Sequence, residues 1–238
     1  MSAGAGSSAD RAAGRAVILL SGGLDSATVL ALAREDGWEC HALTLAYGQR
    51  HAHELTCAKR VAAALGAGSH RILEVDLASF GGSSLVGDGP IPKNGGGTTA
   101  ALIPSTYVPG RNTVFLALAL ALAEALDADA IFLGINAVDF SGYPDCRPDF
   151  LEAFRRLSAV ANRRGVEGRP IEIRAPLLTL SKAAIVAEGR RLRVDFSLTS
   201  SCYDPGPEGR PCGMCDSCRL RRRGFEEAGI VDPLESRS

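Results

Sequence analysis

The chain has no surplus of either charge: 26 Lys and Arg face 27 Asp and Glu, a formal net charge of -1 over 238 residues. Nonspecific binding to a polyanion rests on a basic surplus, so this balance speaks against a nucleic-acid partner. Long apolar runs are also missing. The strongest, Thr113 to Leu126, is interrupted by Glu124 and falls short of the roughly 20 residues that span a bilayer. A buried helix is expected there, and no membrane partner. Residues 1–15 are mostly Ala, Gly and Ser and hold no apolar stretch of the kind a secretory signal needs. They are expected to form a disordered tail on a cytoplasmic protein. No Gly-Lys pair occurs, which excludes a Walker A phosphate loop. No Gly-x-Gly-x-x-Gly turn follows the first strand-like run, which excludes the dinucleotide fingerprint at that place. The four histidines show no metal-ligand spacing, although the stretch Tyr47 to His53 falls at a strand end where a nucleotide could pass.

What is present is a regular alternation. Apolar strand-like runs at Val17–Leu20, His41–Leu45, Arg71–Val75, Ala130–Leu133 and Ile171–Ile173 alternate with helical patterns near 26–36, 52–65, 112–126, 148–164 and 181–191. The rhythm predicts an α/β fold with a doubly wound parallel sheet. Ligands of such sheets bind at the carboxyl ends of strands, which singles out the loops 21–26, 46–51, 134–147 and 174–182. Residues 81–99 are rich in Gly, Ser and Thr and read as a floppy insertion, with a ligand-covering lid as the alternative.

The first strand runs into Leu20-Ser21-Gly22-Gly23-Leu24-Asp25-Ser26. Two glycines permit a tight turn and leave room for a ligand. Ser26 opens a helical pattern whose apolar face is Val29, Leu30 and Leu32. A small loop between a strand end and a helix N-terminus aims free N–H groups and a positive dipole end at one point, which suits phosphate.

Seven cysteines occur, and four crowd the C-terminus as Cys202-x9-Cys212-x2-Cys215-x2-Cys218. Four thiolates at such spacing close a tetrahedral shell around Zn²⁺ and leave no open position, so a structural metal is expected to pin the C-terminal segment 196–238. An iron–sulfur cluster is the rival metal, unligated thiols the plain alternative. Cys40 and Cys57 are expected in the core. Cys146 sits in a polar loop beside Arg147 and is read as packing, with a nucleophile as the alternative. Arg219, Arg221, Arg222 and Arg223 are expected to form the solvated basic face of a helix.

The loop Ser21 to Ser26 resembles the pyrophosphate loop of the N-type ATP pyrophosphatases. Three further segments join it: Ser105-Thr106-Tyr107-Val108-Pro109-Gly110-Arg111-Asn112, then Gly134 through Phe150, then Ser201-Cys202-Tyr203 through Cys218. Together, in this order, they resemble the 7-cyano-7-deazaguanine synthase family over about residues 16 to 233. The chain departs from that pattern in its N-terminal tail and in the Gly-rich segment 81–99.

The resemblance implies a Rossmann-like sheet of the adenine nucleotide α-hydrolase type, with an ATP-binding body at 16–195. It implies ligation of ammonium to 7-carboxy-7-deazaguanine through adenylated intermediates, with ATP consumed, Mg²⁺ accompanying the ATP, and a homodimer as the assembly. The nucleotide stretch carried over is Leu20, Ser21, Gly22, Gly23, Leu24, Asp25, Ser26, Ala27, Thr28, Val29 and Leu30. Backbone groups of the loop should hold the pyrophosphate, with the Ser21 and Ser26 hydroxyls adding bonds. Asp25 is expected either to orient Mg²⁺ or to cap its helix. Arg111 and Lys182 are candidates to neutralise the leaving pyrophosphate, Asp139 and Asp145 to act in catalysis. Asn136, Asp139, Tyr143, Asp145 and Arg147 are the candidate contacts for the base and carboxylate. Two other functions stand beside this one. A tRNA thiolase would need Cys146 as its persulfide carrier, and a nucleotide-binding module would need no catalysis at all.

Overall fold

The computed structural model describes residues 13–49, 53–87, 89–95, 103–136 and 142–235. Five strands form one parallel sheet: β1 (Arg15–Leu19), β2 (Glu39–Ala46), β3 (Ser69–Glu74), β4 (Ala130–Phe132) and β5 (Glu172–Arg174), in the order β3-β2-β1-β4-β5. β1 is central, with Ala16 opposite Cys40 on one side and Ala130 on the other. That place explains its unbroken apolar sequence: Ala16, Val17 and Ile18 are fully buried because helices cover both faces.

Side-chain alternation sorts the core into two layers. Ala16, Ile18, Ala42 and Phe132 point to one side. There they meet α1 (Leu24–Glu35), α2 (His53–Ala64), α6 (Lys182–Arg191) and α7 (Asp216–Glu227). Val17, Leu43, Ile131 and Ile173 point to the other, against α3 (Arg111–Ala125) and α4 (Pro148–Ser158). The doubly wound α/β expectation is met. No described helix is long and apolar enough to cross a membrane, and Thr113–Leu126 contributes instead the buried Leu116, Ala119, Leu120 and Ala123.

Three expectations fail for identifiable reasons. The helix expected over 148–164 is two: α4 ends at Ser158, and a short α5 (Arg163–Val166) follows. The Ser158 hydroxyl donates to the Ile171 carbonyl (2.7 Å), anchoring the end of α4 to the segment that leads into β5. The Asn162 side chain accepts from the Gly165 N–H (2.8 Å) and starts α5 as its cap.

The Gly-rich segment is not a floppy insertion in its described part. Leu85, Val86 and Ile91 are buried with Cys202, Cys215 and Cys218 in a third apolar cluster. Lys93 bridges Asp204 (2.9 Å), and the Asn94 N–H donates to the Met214 carbonyl (2.9 Å). Few apolar residues are present, but those few are packed.

The arginine run is only partly a solvated face. Arg222 and Arg223 are exposed and paired with Glu235 and Glu227. Arg221 is buried: Nε and Nη2 donate to both oxygens of Asp232 (2.6 and 2.9 Å), Nη1 to Thr199 Oγ1 (2.8 Å) and Nη2 also to the Phe196 carbonyl (3.1 Å). One guanidinium thus joins α7, the segment before it and the C-terminal turn. Arg221→Ala strands the buried Asp232 carboxylate without its cation, and the expected loss is about 3–5 kcal/mol in urea denaturation. Unchanged stability would disprove the anchoring role.

Candidate functional site

The chain leaves β1 toward β2 and β3, then crosses back to place β4 on the other side of β1. The two directions diverge between β1 and β4, and a crevice opens at the carboxyl ends of these strands. A cavity of about 260 Å³ lies there. Its wall includes the loop residues Ser21, Gly23 and Asp25, with Gly134 from the end of β4, Arg111 from α3 and Lys182 from α6.

The loop is held in shape by its own serines. The Ser21 N–H donates to Ser26 Oγ (3.2 Å), the two hydroxyls meet at 3.1 Å, and Ser26 Oγ donates to the Gly23 carbonyl (3.1 Å). Both hydroxyls, expected to reach for phosphate, are therefore engaged within the loop. Gly23 is the cap residue of α1, so Asp25 lies inside the first turn and is not the cap. The N–H groups of that first turn have no acceptor within the helix. At the loop's start the Thr44 hydroxyl donates to the Leu20 carbonyl (2.5 Å) and accepts from His70 Nε2 (2.7 Å). Burial holds His70 below the ordinary histidine value, which favours a neutral ring, here with its proton on Nε2.

Gly22 shows why glycine is required. Its φ is +87°, and a Cβ there would lie 2.5 Å from the Glu54 carbonyl oxygen and 2.6 Å from the Ala58 nitrogen. Its own carbonyl accepts from the Ser200 N–H (3.0 Å). The loop is thus pressed between α2 and the C-terminal segment. Gly22→Ala is expected to weaken nucleotide binding by about tenfold or more, since the α2 backbone at both Glu54 and Ala58 must give way and the positive φ is strained for an L side chain. Equilibrium binding of a fluorescent ATP analogue measures it, and wild-type affinity would contradict the requirement.

Asp25 is the hub of the crevice. Lys182 Nζ donates to both of its oxygens (2.9 and 2.7 Å), and Asn136 Nδ2 donates to Oδ2 (3.0 Å). Three elements distant in sequence meet here: the start of α1, the loop after β4 and the start of α6. Gly224 of α7 makes room for Lys182, because a Cβ at 224 would lie 2.4 Å from Lys182 Cγ. Arg111 places its guanidinium 5.8 Å from the Tyr47 ring and 5.9 Å from Phe115, a cation between two aromatic faces at the cavity wall.

The other expected contacts divide. Tyr143 lines the cavity, bonded to Thr106 Oγ1 (2.8 Å) and stacked on Tyr107 at 6.0 Å. Asn136 is fully buried and serves Asp25. Asp145 is buried behind the wall, where Oδ2 accepts from the Asn112 N–H (2.9 Å) and its carbonyl from Asn112 Nδ2 (3.0 Å), fixing the start of α3. Arg147 is exposed at the start of α4. Asp139 lies outside the described residues. Within α1, Ala27, Val29 and Leu30 pack into the core, and Thr28 donates to the Leu24 carbonyl (2.9 Å). None of these four side chains lines the cavity. Cys146 is buried and accepts from Asn112 Nδ2 (3.2 Å). Cys40 and Cys57 are core residues, and burial pushes the Cys40 thiol up to about 12.

Beside the cavity the sulfurs of Cys202, Cys212, Cys215 and Cys218 lie within 4.8 Å of one another. A tetrahedral shell with metal–sulfur bonds of about 2.3 Å places sulfurs about 3.8 Å apart, so the four thiols need to close in by no more than about an ångström to take an ion. Backbone N–H groups point at them: Cys212 N to Cys202 Sγ (3.2 Å), Cys215 N to Cys212 Sγ (3.3 Å) and Asp204 N to Cys202 Sγ (3.4 Å). Donors aimed at sulfur favour thiolate over thiol, so the cluster could hold a metal ion. Cys202 is also part of the cavity wall.

Glu54 was not singled out by the sequence, which shows it as one acid at the start of an amphipathic helix. Only the approach of Gly22 reveals that α2 brings it to the cavity.

Residues 15–229 match the model of a family described as queuosine biosynthesis protein QueC. A curated protein named 7-cyano-7-deazaguanine synthase, from Anaeromyxobacter sp. (strain Fw109-5), is 59% identical over 227 residues, covering 94% of this chain and 97% of its own. One of the same name from Syntrophus aciditrophicus (strain SB) is 56% identical over 224 residues, covering 93% and 97%.

Proposed function

Because this chain belongs to the QueC family of queuosine biosynthesis proteins, we propose that it is a carbon–nitrogen ligase making 7-cyano-7-deazaguanine from 7-carboxy-7-deazaguanine and ammonium at the expense of ATP. The observation that carries this reading is the convergence on one crevice of a Gly-Gly phosphate loop, the Lys182–Asp25–Asn136 set and Arg111.

A carboxylate resists attack by nitrogen because its oxygen is a poor leaving group. Its attack on the α-phosphorus of ATP expels pyrophosphate and gives an acyl adenylate. The loop N–H groups, Lys182 and Arg111 offset the charge that grows on pyrophosphate. Ammonia then displaces AMP to give the amide. The amide oxygen attacks a second ATP, and loss of AMP with that oxygen leaves the nitrile, so two AMP form per nitrile. Mg²⁺ enters on the phosphates of ATP.

On this reading residues 16–195 are the ATP-binding body, and 196–238 are a segment pinned by Zn²⁺ on Cys202, Cys212, Cys215 and Cys218. The ion's role is structural, since four thiolates leave it no open position. The enzyme works as a cytoplasmic homodimer. The burial of Cys146, with Asn112 donating to it, supports packing over persulfide chemistry. Purified protein with ATP, Mg²⁺, ammonium and 7-carboxy-7-deazaguanine should yield AMP and the 7-cyano base by mass spectrometry. Intact ATP in a folded, metal-loaded protein would overturn the assignment.

A further inference from the structure

Among the described residues two carboxylates reach the cavity wall, Asp25 and Glu54. Asp25 is saturated by Lys182 and Asn136. Glu54 is not: among the described residues no hydrogen bond or ion pair engages its carboxylate. Its backbone is fixed, because the Glu54 main-chain carbonyl backs directly on Gly22 at the turn of the phosphate loop, and the side chain reaches the cavity wall from there. A partly buried carboxylate with the Arg111 charge near it but no hydrogen-bond donor among the described residues, at the wall of a phosphate-loop cavity, leaves its oxygens open to a small cation that can donate to them. The reaction proposed above brings two cations, Mg²⁺ and ammonium. Mg²⁺ demands a near-octahedral set of oxygens, and beside Glu54 stand the Arg111 guanidinium, the Tyr47 ring and the Cys57 thiol. Ammonium needs only one carboxylate and tolerates aromatic surroundings.

We propose that Glu54 seats the ammonium ion and takes its proton, so that ammonia is released beside the activated carboxyl group. The inference rests on the ligase reading. In the step, one ammonium N–H proton passes to the Glu54 carboxylate. The freed lone pair forms the C–N bond at the acyl carbon, and the bond to AMP breaks with its electron pair leaving on the AMP oxygen. The new amide nitrogen sheds its second proton to water. Burial pushes the Glu54 carboxyl up to about 7, against the opposing pull of Arg111, which matches a base working near neutrality.

The test is Glu54→Gln, with pyrophosphate release and amide or nitrile formation followed separately. kcat/KM for ammonium should fall by about 10²-fold or more, and its rise through about pH 7 should disappear. Carboxylate-dependent pyrophosphate release, which precedes amination, should stay near wild type. Hydroxylamine is uncharged at neutral pH and needs no base to free its lone pair, so the variant should still form hydroxamate. Wild-type kcat/KM for ammonium in the variant, or parallel loss of pyrophosphate release, would overturn the proposal. So would a raised Mg²⁺ requirement with unchanged ammonium KM. If Glu54→Gln shows no cooperative thermal melt, Glu54→Asp carries the test through the same split between ammonium KM and adenylation. A wild-type protein that makes no AMP from the carboxylate would sink the ligase reading itself, a different result from any of these.

Discussion

Cys215→Ser is expected to release the bound metal and to cost on the order of 5 kcal/mol, a large share of a domain's whole stability. Three observations set the size. Cys215 is fully buried, its sulfur accepts from the Tyr203 N–H (3.5 Å), and its backbone forms an isolated bridge with Lys93. A serine there replaces one of four soft thiolate ligands with a neutral hydroxyl and leaves three sulfurs crowded around an incomplete shell. The segment 202–218 has few apolar residues of its own to take up the loss. Metal analysis should give one ion per wild-type chain and much less in the variant. Chelation of the wild type should reproduce the variant's lowered urea midpoint. A variant that keeps its metal, or a metal-free wild type that unfolds at the same midpoint, would show that the cluster is not the anchor.

Lys182→Met should reduce turnover by about 10²–10³-fold, the usual result of removing one charge that stabilises a transition state. The same change leaves Asp25 as an uncompensated carboxylate, since its side chain is only 22% exposed and Lys182 supplies two of its bonds. Stability should therefore fall by about 3 kcal/mol as well. The two effects separate in the double variant Lys182→Met/Asp25→Asn. Neutralising Asp25 removes the stranded charge and should restore most of the lost stability. It supplies no cation to the phosphates, so turnover stays low. Recovery of both together would mean that Lys182 acts only by holding Asp25 in place.

The sheet was legible because its strands are buried on both faces and read as apolar runs. β1 and β4 came within a residue or two of their true bounds, and the loops at their carboxyl ends were correctly taken as the lining of the crevice. The errors are of another kind. Residues 81–99 read as floppy because Leu85, Val86 and Ile91 make no periodic signal, yet these three meet three cysteines more than a hundred positions away. Arg221 was indistinguishable from Arg222 in a run of like charges, and only the position of Asp232 makes it an interior group. Asp145 and Asn136 were expected to touch the substrate, and their side chains are engaged by the protein instead. What they serve is the placement of α3 and of Asp25, a partnership that spacing along the chain does not encode.

The position of β1 also governs the order in which the molecule can be completed. β1 and β2 pair early, only a helix apart, but the second edge of β1 waits for β4, whose Ala130 lies opposite Ala16. Closing such long loops costs entropy before any contact repays it, so pairing of this kind is slow. The phosphate loop can turn as soon as α1 has formed, yet Lys182, 157 residues from Asp25, is still unmade on the ribosome at that moment. A nascent chain halted before α6 therefore holds Asp25 with the Asn136 amide but without its cation, and the crevice is complete only with the last quarter of synthesis.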